Sequence, residues 1–158
     1  MITIAQSTII PASTDRVWQF FTELDDRYRD WHPEHVEWRT LQGPPLTPGA
    51  IWYAHEWVGR VEISSRAFVT AADPGRYFAY RIGFPSALVN ARGSFHLTPL
   101  DEHRCRLDET ATLGFALPIV GAIFDVLLRV LLPIADMRRH VREEGTNLAA
   151  LFAHAAES

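Results

Sequence analysis

TIAQSTIIPASTDRVWQFFTEL, residues 3–24, is the stretch that most strongly indicates the fold. Its first part, Thr3 to Ile10, alternates and is rich in β-branched residues, which predicts a strand that ends at Pro11. Ser13 or Thr14 can then cap a helix. The apolar stripe of this helix consists of Val17, Trp18, Phe20, Phe21 and Leu24. The chain therefore begins with a strand and an amphipathic helix.

A run of hairpins is predicted after this helix. A polar stretch, Asp25 to Asp30, leads to Trp31-His32-Pro33-Glu34-His35, where the proline disfavours a helical conformation at His32. A strand then extends from about His35 to Leu41 and is followed by a loop rich in Gly and Pro. Further strands are expected at Ala50–Trp57, Arg60–Ala71, Arg76–Ile82, Ala91–Leu97 and Arg104–Thr112. This pattern is typical of an antiparallel meander.

The end of the sequence is helical in pattern, from Leu117 to about Ala155, with an interruption or kink at Pro133. Its most apolar part, Leu113 to Ala135, contains Asp125 and Arg129 four residues apart. Charges and prolines in such a stretch favour a buried or cavity-lining helix over a membrane span. Peripheral contact with a membrane stays open as an alternative.

The composition fits one folded domain over residues 1–158. A net charge of −4 and scattered arginines argue against a nucleic-acid partner. Cys105 is the only cysteine, which excludes an internal disulfide and a thiolate metal cluster. The start of the sequence has neither the basic residues nor the apolar run of a signal peptide, so we expect a cytoplasmic protein.

The order strand, helix, about six strands and long terminal helix resembles the START or Bet v 1-like superfamily, also called SRPBCC. The resemblance covers nearly the whole chain and includes IPASTDRVW at 10–18 and Asp73-Pro74-Gly75-Arg76. It implies an α+β helix-grip fold, in which a curved antiparallel sheet of six to seven strands surrounds the last helix. It also implies a hydrophobic cavity between sheet and helix. The fold alone does not identify the chemistry.

A His-Glu pair marks the terminal helix. At about 100 degrees per residue, one apolar face is formed by Ile134, Met137, Val141, Leu148 and Phe152. His140 and Glu144 stack one turn apart at the edge of this face. They can bind one metal ion side by side, and the alternative is a pair of solvated neighbours.

A carboxylate is predicted to point inward from the second hairpin. A two-residue turn at Val58-Gly59 pairs Glu56 with Val61 on the inward face and directs His55 to solvent beside Glu62. A carboxylate that faces a core is unfavourable unless it is paired or binds a cation. A shift of one residue in register would reverse these faces.

Three further polar residues are candidates for the cavity. His32 and His35 lie at its predicted mouth, and histidine is both a common zinc ligand and an acid or base near neutral pH. On the last predicted strand Glu109 follows Cys105 and Leu107 at a spacing of two residues, so it faces the same side of the sheet and points inward as well.

Four residues from a loop, a strand and a helix form one predicted metal-ligand set: His32, Glu56, His140 and Glu144. Two histidines and two carboxylates suit zinc. This set resembles the 2,4-diacetylphloroglucinol hydrolases, which hold zinc in a Bet v 1-like cavity with His, Glu and a helical His-x-x-x-Glu pair in that order. The resemblance implies zinc ligation by the four residues, with His35 as the polar residue that orients substrate or moves a proton. The chain is much shorter than those hydrolases, and His35 competes with His32 for the role of ligand.

The sequence thus predicts a zinc-dependent hydrolase that acts on a small aromatic or polyketide-type ketone. Two alternatives stay open. One is a metal-free carrier of a hydrophobic ligand, such as a lipid or polyketide, and the other is a polyketide cyclase or dehydratase that uses the same groups as acid and base. All three imply a small hydrophobic or aromatic ligand.

Overall fold

The computed structural model describes residues 1–83, 90–114 and 133–157. Within those residues the strands are β1 Ile2–Ile10, β2 His35–Gln42, β3 Ile51–Val58, β4 Val61–Asp73, β5 Tyr77–Ile82, β6 Arg92–Asp101 and β7 Arg104–Leu113. The helices in the same part of the chain are α1 Thr14–Thr22, α2 Leu24–Trp31 and α3 Ile134–Glu157. The first part of the predicted terminal helix, from Leu117 to Pro133, lies outside the described residues except for Pro133 itself.

The described strands form one curved antiparallel sheet in the order β1-β7-β6-β5-β4-β3-β2. Every pair of neighbouring strands is antiparallel. Helix α3 packs against β1, α2 and β3. The α+β helix-grip architecture predicted from the sequence is therefore confirmed, with seven strands in the described residues.

The expected strand and helix at the start of the chain are both present. The Ser13 side chain accepts a hydrogen bond from the backbone N–H of Arg16 and caps α1. Val17, Phe20 and Phe21 are buried. Their rings and methyl groups form part of a core that continues to Leu148 and Phe152 of α3.

Helix α2 differs from the sequence prediction, which treats this stretch as a polar connection. Leu24, Tyr28 and Trp31 recur at helical spacing and are buried, although the residues between them are charged. The chain bends at Glu23, whose backbone N–H bonds to the carbonyl of Phe20. This second helix sets the position of the loop that carries His32.

The predicted register of the β3–β4 hairpin was wrong by two residues. Val58 pairs with Val61, and Glu56 pairs with Ile63 rather than with Val61. The turn therefore consists of Gly59 and Arg60, and Gly59 has a φ of 64 degrees, in the left-handed region that glycine favours. Because a shift of two residues preserves the face of every side chain, Glu56 still points inward.

The apolar stretch Leu113–Ala135 lies mostly outside the described residues. Among the helices that the structure describes, none has both the length and the apolar content needed to cross a membrane.

Candidate active site

Helix α3 contributes His140 and Glu144, one turn apart on its buried side. The exposed fractions are 5% for His140 and 7% for Glu144, so both belong to the interior rather than to the edge of the apolar face. The Nδ1 atom of His140 lies 2.9 Å from a carboxylate oxygen of Glu34. Its Nε2 atom is buried and has no hydrogen-bond partner among the described residues. A carboxylate can only accept, so Nδ1 carries the hydrogen and Nε2 is free for chemistry.

Strand β2 begins with His35, whose ring stacks on that of Tyr28 at 3.8 Å between centroids. The Nδ1 atom of His35 lies 3.0 Å from the Tyr28 carbonyl oxygen, which assigns the hydrogen to Nδ1. Its Nε2 atom lies 3.2 Å from Oε1 of Glu144. In a neutral ring this Nε2 would present a lone pair to a carboxylate. A hydrogen or a cation between the two atoms makes the contact favourable.

Strand β3 contributes Glu56 from the face that also carries Trp52 and Ala54. The Tyr28 hydroxyl donates a hydrogen bond of 2.6 Å to Oε2 of Glu56. The same Oε2 atom lies 3.7 Å from Nε2 of His35. Tyr28 therefore contacts both a histidine and a carboxylate of the site.

Four ligand-type atoms lie close to one another. They belong to the His–Glu cluster, which we define as His35, Glu56, His140 and Glu144. Nε2 of His140 is 3.9 Å from Oε2 of Glu56 and 3.8 Å from Oε1 of Glu144. With the contacts of His35, the four atoms thus form a ring with neighbours 3.2 to 3.9 Å apart. A tetrahedral zinc ion separates its ligand atoms by about 3.3 to 3.5 Å, so the cluster has a suitable size and donor set.

His32 lies beside this cluster and makes different contacts. Its Nδ1 accepts a hydrogen bond from the backbone N–H of Glu34, and its Nε2 lies 3.2 Å from a carboxylate oxygen of Glu143. Its ring is 4.3 Å from that of His140, and ring nitrogens of His32, His35 and His140 all lie within 4.8 Å of one another. Both ring nitrogens of His32 are thus engaged outside the His–Glu cluster, whereas Nε2 of His35 faces its carboxylates.

Opposing effects act on the pKa values of the cluster. Burial lowers the pKa of His140, but the negative charges of Glu144, Glu56 and Glu34 outweigh burial and raise it. Burial raises the pKa of Glu144, but the hydrogen bond with His35 and the charges of His140 and His35 lower it to about 2. The carboxylate of Glu144 is therefore ionised and favours a positive charge on His140.

Glu109 is a fifth polar residue of the site, in agreement with its parity on β7. It is 6% exposed and is hydrogen-bonded to Glu144. Burial, together with the charges of Glu144 and Glu56, raises its pKa well above the usual value. Two hydrogen-bonded carboxyl groups need one proton between them. Because the pKa of Glu109 is raised and that of Glu144 is lowered, the proton belongs to Glu109.

A cavity of about 100 Å3 adjoins the cluster. Its polar lining comes from Glu56, Glu109, His140 and Glu144, together with Tyr28, Tyr80 and Ser65. The remaining described lining is aromatic or aliphatic: Phe21, Leu24, Trp31, Trp38, Trp52, Ala54, Ala67, Phe78, Ile82 and Phe95. A pocket of this kind suits a small apolar or aromatic ligand with a few polar groups.

Sequence reasoning missed Tyr28 and Glu34 as contributors to the site. The helical spacing of Leu24, Tyr28 and Trp31 could have identified α2 and its buried tyrosine. For Glu34 the sequence held no comparable signal, because its role depends on the approach of α3.

Comparisons with known proteins agree with this architecture. Residues 1–153 match the sequence model of the family described as polyketide cyclase / dehydrase and lipid transport. A search of curated proteins gave no match.

Solved structures with similar folds include aromatase/cyclases. The ZhuI aromatase/cyclase from Streptomyces sp. R1128 has a TM-score of 0.68 and 20% identity, over 99% of this chain and 94% of that one. The di-domain ARO/CYC BexL of the BE-7585A biosynthetic pathway has a TM-score of 0.69 and 12% identity. The match covers all of this chain but only 48% of BexL, so this chain corresponds to about half of that protein.

A third similar structure is TTHA0849 from Thermus thermophilus. It has a TM-score of 0.71 and 15% identity, over 99% of this chain and 100% of that one. At these identities the likeness establishes the fold alone, while the family match covers most of the sequence. The predicted SRPBCC membership is thereby confirmed, and the chain belongs to the polyketide cyclase / dehydrase and lipid transport family.

Proposed function

We propose that this protein is an enzyme that binds a small aromatic or polyketide-type carbonyl compound and acts on it with the His–Glu cluster. The observation that carries the proposal is a cluster of two buried imidazoles, the buried carboxylate of Glu144 and the half-buried carboxylate of Glu56, beside an aromatic cavity. Buried ionisable groups of this kind are unfavourable for stability and concentrate at functional sites. The family match supports a cyclase or dehydrase type of reaction.

The cluster contains the groups that such a reaction needs. A carboxylate such as Glu56 can remove a proton from the carbon next to a ligand carbonyl, and the imidazolium of His140 can protonate the carbonyl oxygen through Nε2. The resulting enol can attack a second carbonyl to close a ring, and loss of water then makes the ring aromatic. Glu34 holds Nδ1 of His140 and thereby fixes the direction of Nε2.

Zinc-dependent hydrolysis is the second candidate, favoured by the spacing of the four cluster atoms. Nδ1 of both histidines is bonded to an oxygen, as is usual for zinc-binding histidines. We propose His35, Glu56, His140 and Glu144 as the ligands, with His35 in the position that the sequence assigned to His32. A zinc ion held there would polarise a carbonyl and lower the pKa of a bound water.

Metal analysis separates these two candidates. Protein purified without chelators is examined for zinc as isolated and after reconstitution. One zinc per chain, lost in His35→Ala and His140→Ala but kept in His55→Ala, supports the metal site, since His55 contacts Glu62 away from the cluster. If the isolated protein held less than about a tenth of a zinc per chain and took up no zinc on reconstitution, the zinc candidate would be rejected and the metal-free reaction retained.

Product analysis tests whether the protein is an enzyme. Aryl ketones and short poly-β-ketones are incubated with the protein, and products are identified by mass. Loss of water indicates cyclisation with dehydration, whereas gain of water indicates hydrolysis. We expect turnover to disappear in His140→Ala and to persist in His55→Ala. Tight binding with neither product would support a carrier instead.

A further inference from the structure

The Glu109 carboxyl is a buried group that the proposed reaction leaves unused. It lies on β7, opposite Phe95 of β6, and lines the cavity. Its Oε2 atom is fully buried and has no hydrogen-bond partner among the residues that the structure describes. The carboxyl group contacts Glu144, which places the Glu109 side chain next to the His–Glu cluster.

An unpartnered buried oxygen is costly in a folded protein. Leaving one unsatisfied destabilises the folded state, and such atoms call for a specific explanation. Phe95, the residue opposite Glu109 on β6, has no hydrogen to donate, and no other described residue donates one to Oε2. A ligand in the cavity can offer one. Because this oxygen has lone pairs in either protonation state of the carboxyl group, it acts as a hydrogen-bond acceptor.

We propose that Oε2 of Glu109 accepts a hydrogen bond from a phenolic or enolic hydroxyl of the bound ligand and selects hydroxylated ligands over purely apolar ones. The inference rests on the proposed function, since it specifies which aromatic or polyketide-type compounds the cavity takes. The hydroxyl lies next to the cluster, and so close to the carbonyl on which the cluster acts.

The test compares phenol with toluene, which have nearly the same size and differ in one hydroxyl. Binding at neutral pH is measured from NMR shifts of the indole N–H groups of the cavity residues Trp31, Trp38 and Trp52. We expect phenol to bind at least about tenfold more tightly to the wild-type protein. Glu109→Leu should lose this preference. Glu109→Gln should retain most of it, because its amide oxygen is still an acceptor.

Asp108→Asn is the matched control, since Asp108 is adjacent on β7 but contacts Ser7 and Arg106 at the surface. It should keep the wild-type preference. Equal binding of phenol and toluene by the wild-type protein, or a preference that survives in Glu109→Leu, would overturn the role of Glu109 alone. Failure of both probes to bind would overturn the proposed aromatic ligand as well. Equal binding by the wild-type protein overturns the role of Glu109 even where a variant does not fold.

Discussion

Tyr28 connects two site residues that come from different strands. Its backbone carbonyl accepts the Nδ1 hydrogen of His35, and its hydroxyl donates to Glu56. Its ring also stacks on the imidazole of His35 with only 5 degrees between the planes. One residue of α2 therefore fixes a nitrogen on β2 and an oxygen on β3, which orients both toward the same point.

Replacement of Tyr28 by phenylalanine tests this role. The variant keeps the stacked ring and the carbonyl but removes the donor to Glu56. For the zinc candidate we expect zinc affinity to fall about 10- to 100-fold, the usual effect of losing a partner that orients a ligand. Competition with a chromophoric chelator measures the affinity. Tyr53→Phe serves as the control because its hydroxyl contacts Ser64 at the surface, and equal affinity in both variants would contradict the role of Tyr28.

Cys105 provides a prediction about the core. Burial raises the pKa of its thiol to about 11, and a thiol reacts with alkylating agents through its thiolate. At pH 8 only about one molecule in a thousand would carry the thiolate. We expect iodoacetamide to leave the folded protein unmodified over hours and to modify it fully in denaturant, as judged by mass spectrometry. Fast labelling of the folded protein would show that the site opens.

At the scale of elements, the contact between α3 and β1 depends on Gly145. Alanine normally stabilises a helix relative to glycine by about 1 kcal/mol. Here a Cβ atom at position 145 would overlap Oγ1 of Thr8. Gly145→Ala should therefore lower the free energy of unfolding by about 1 to 3 kcal/mol.

Chemical denaturation of the single and double variants measures this coupling. In Thr8→Ala/Gly145→Ala the hydroxyl is absent, so most of the loss should be recovered, while Thr8→Ala alone should have a small effect. A stabilising Gly145→Ala would mean that α3 does not approach β1 as closely as the structure indicates.

The sequence predicted elements better than their ends and pairings. The inward direction of Glu56 was predictable because side chains alternate between the two faces along a strand, whatever the register of its pairing. The true register was not, since a turn at Val58-Gly59 and one at Gly59-Arg60 fit the same residues equally well. Helix α2 was missed because its charged residues obscured a stripe of only three apolar ones, and its stability depends on the core into which they pack.

At the scale of the whole molecule, the choice between His32 and His35 could not be made from the sequence. Both lie within one short segment, and α2 and α3 together determine which ring reaches Glu56 and Glu144. The pair on α3 was predictable because His140 and Glu144 share one helix and one face. Convergence of two strands and a helix is a tertiary property, so the sequence predicts the members of the site better than their contacts.

A substitution that fills the cavity alone should separate the role of the cavity in ligand binding from the role of the His–Glu cluster. Ala67 of β4 is 2% exposed and lines the cavity, so leucine at this position would occupy part of its space. Overpacking costs about 1 to 3 kcal/mol, which a domain of this size can tolerate. We expect Ala67→Leu to fold, to keep the His–Glu cluster and any metal that it binds, and to lose both phenol binding and turnover.

Ala79→Leu is the matched control, because Ala79 of β5 pairs with Ser94 of β6 and lies on the opposite face of the sheet from Phe78. It adds the same bulk outside the cavity and should leave phenol binding unchanged. Circular dichroism establishes folding, and the NMR titration with phenol measures binding. If Ala67→Leu bound phenol as the wild-type protein does, the ligand would have to lie elsewhere, and the proposed reaction would lose the cavity that brings its substrate to the cluster.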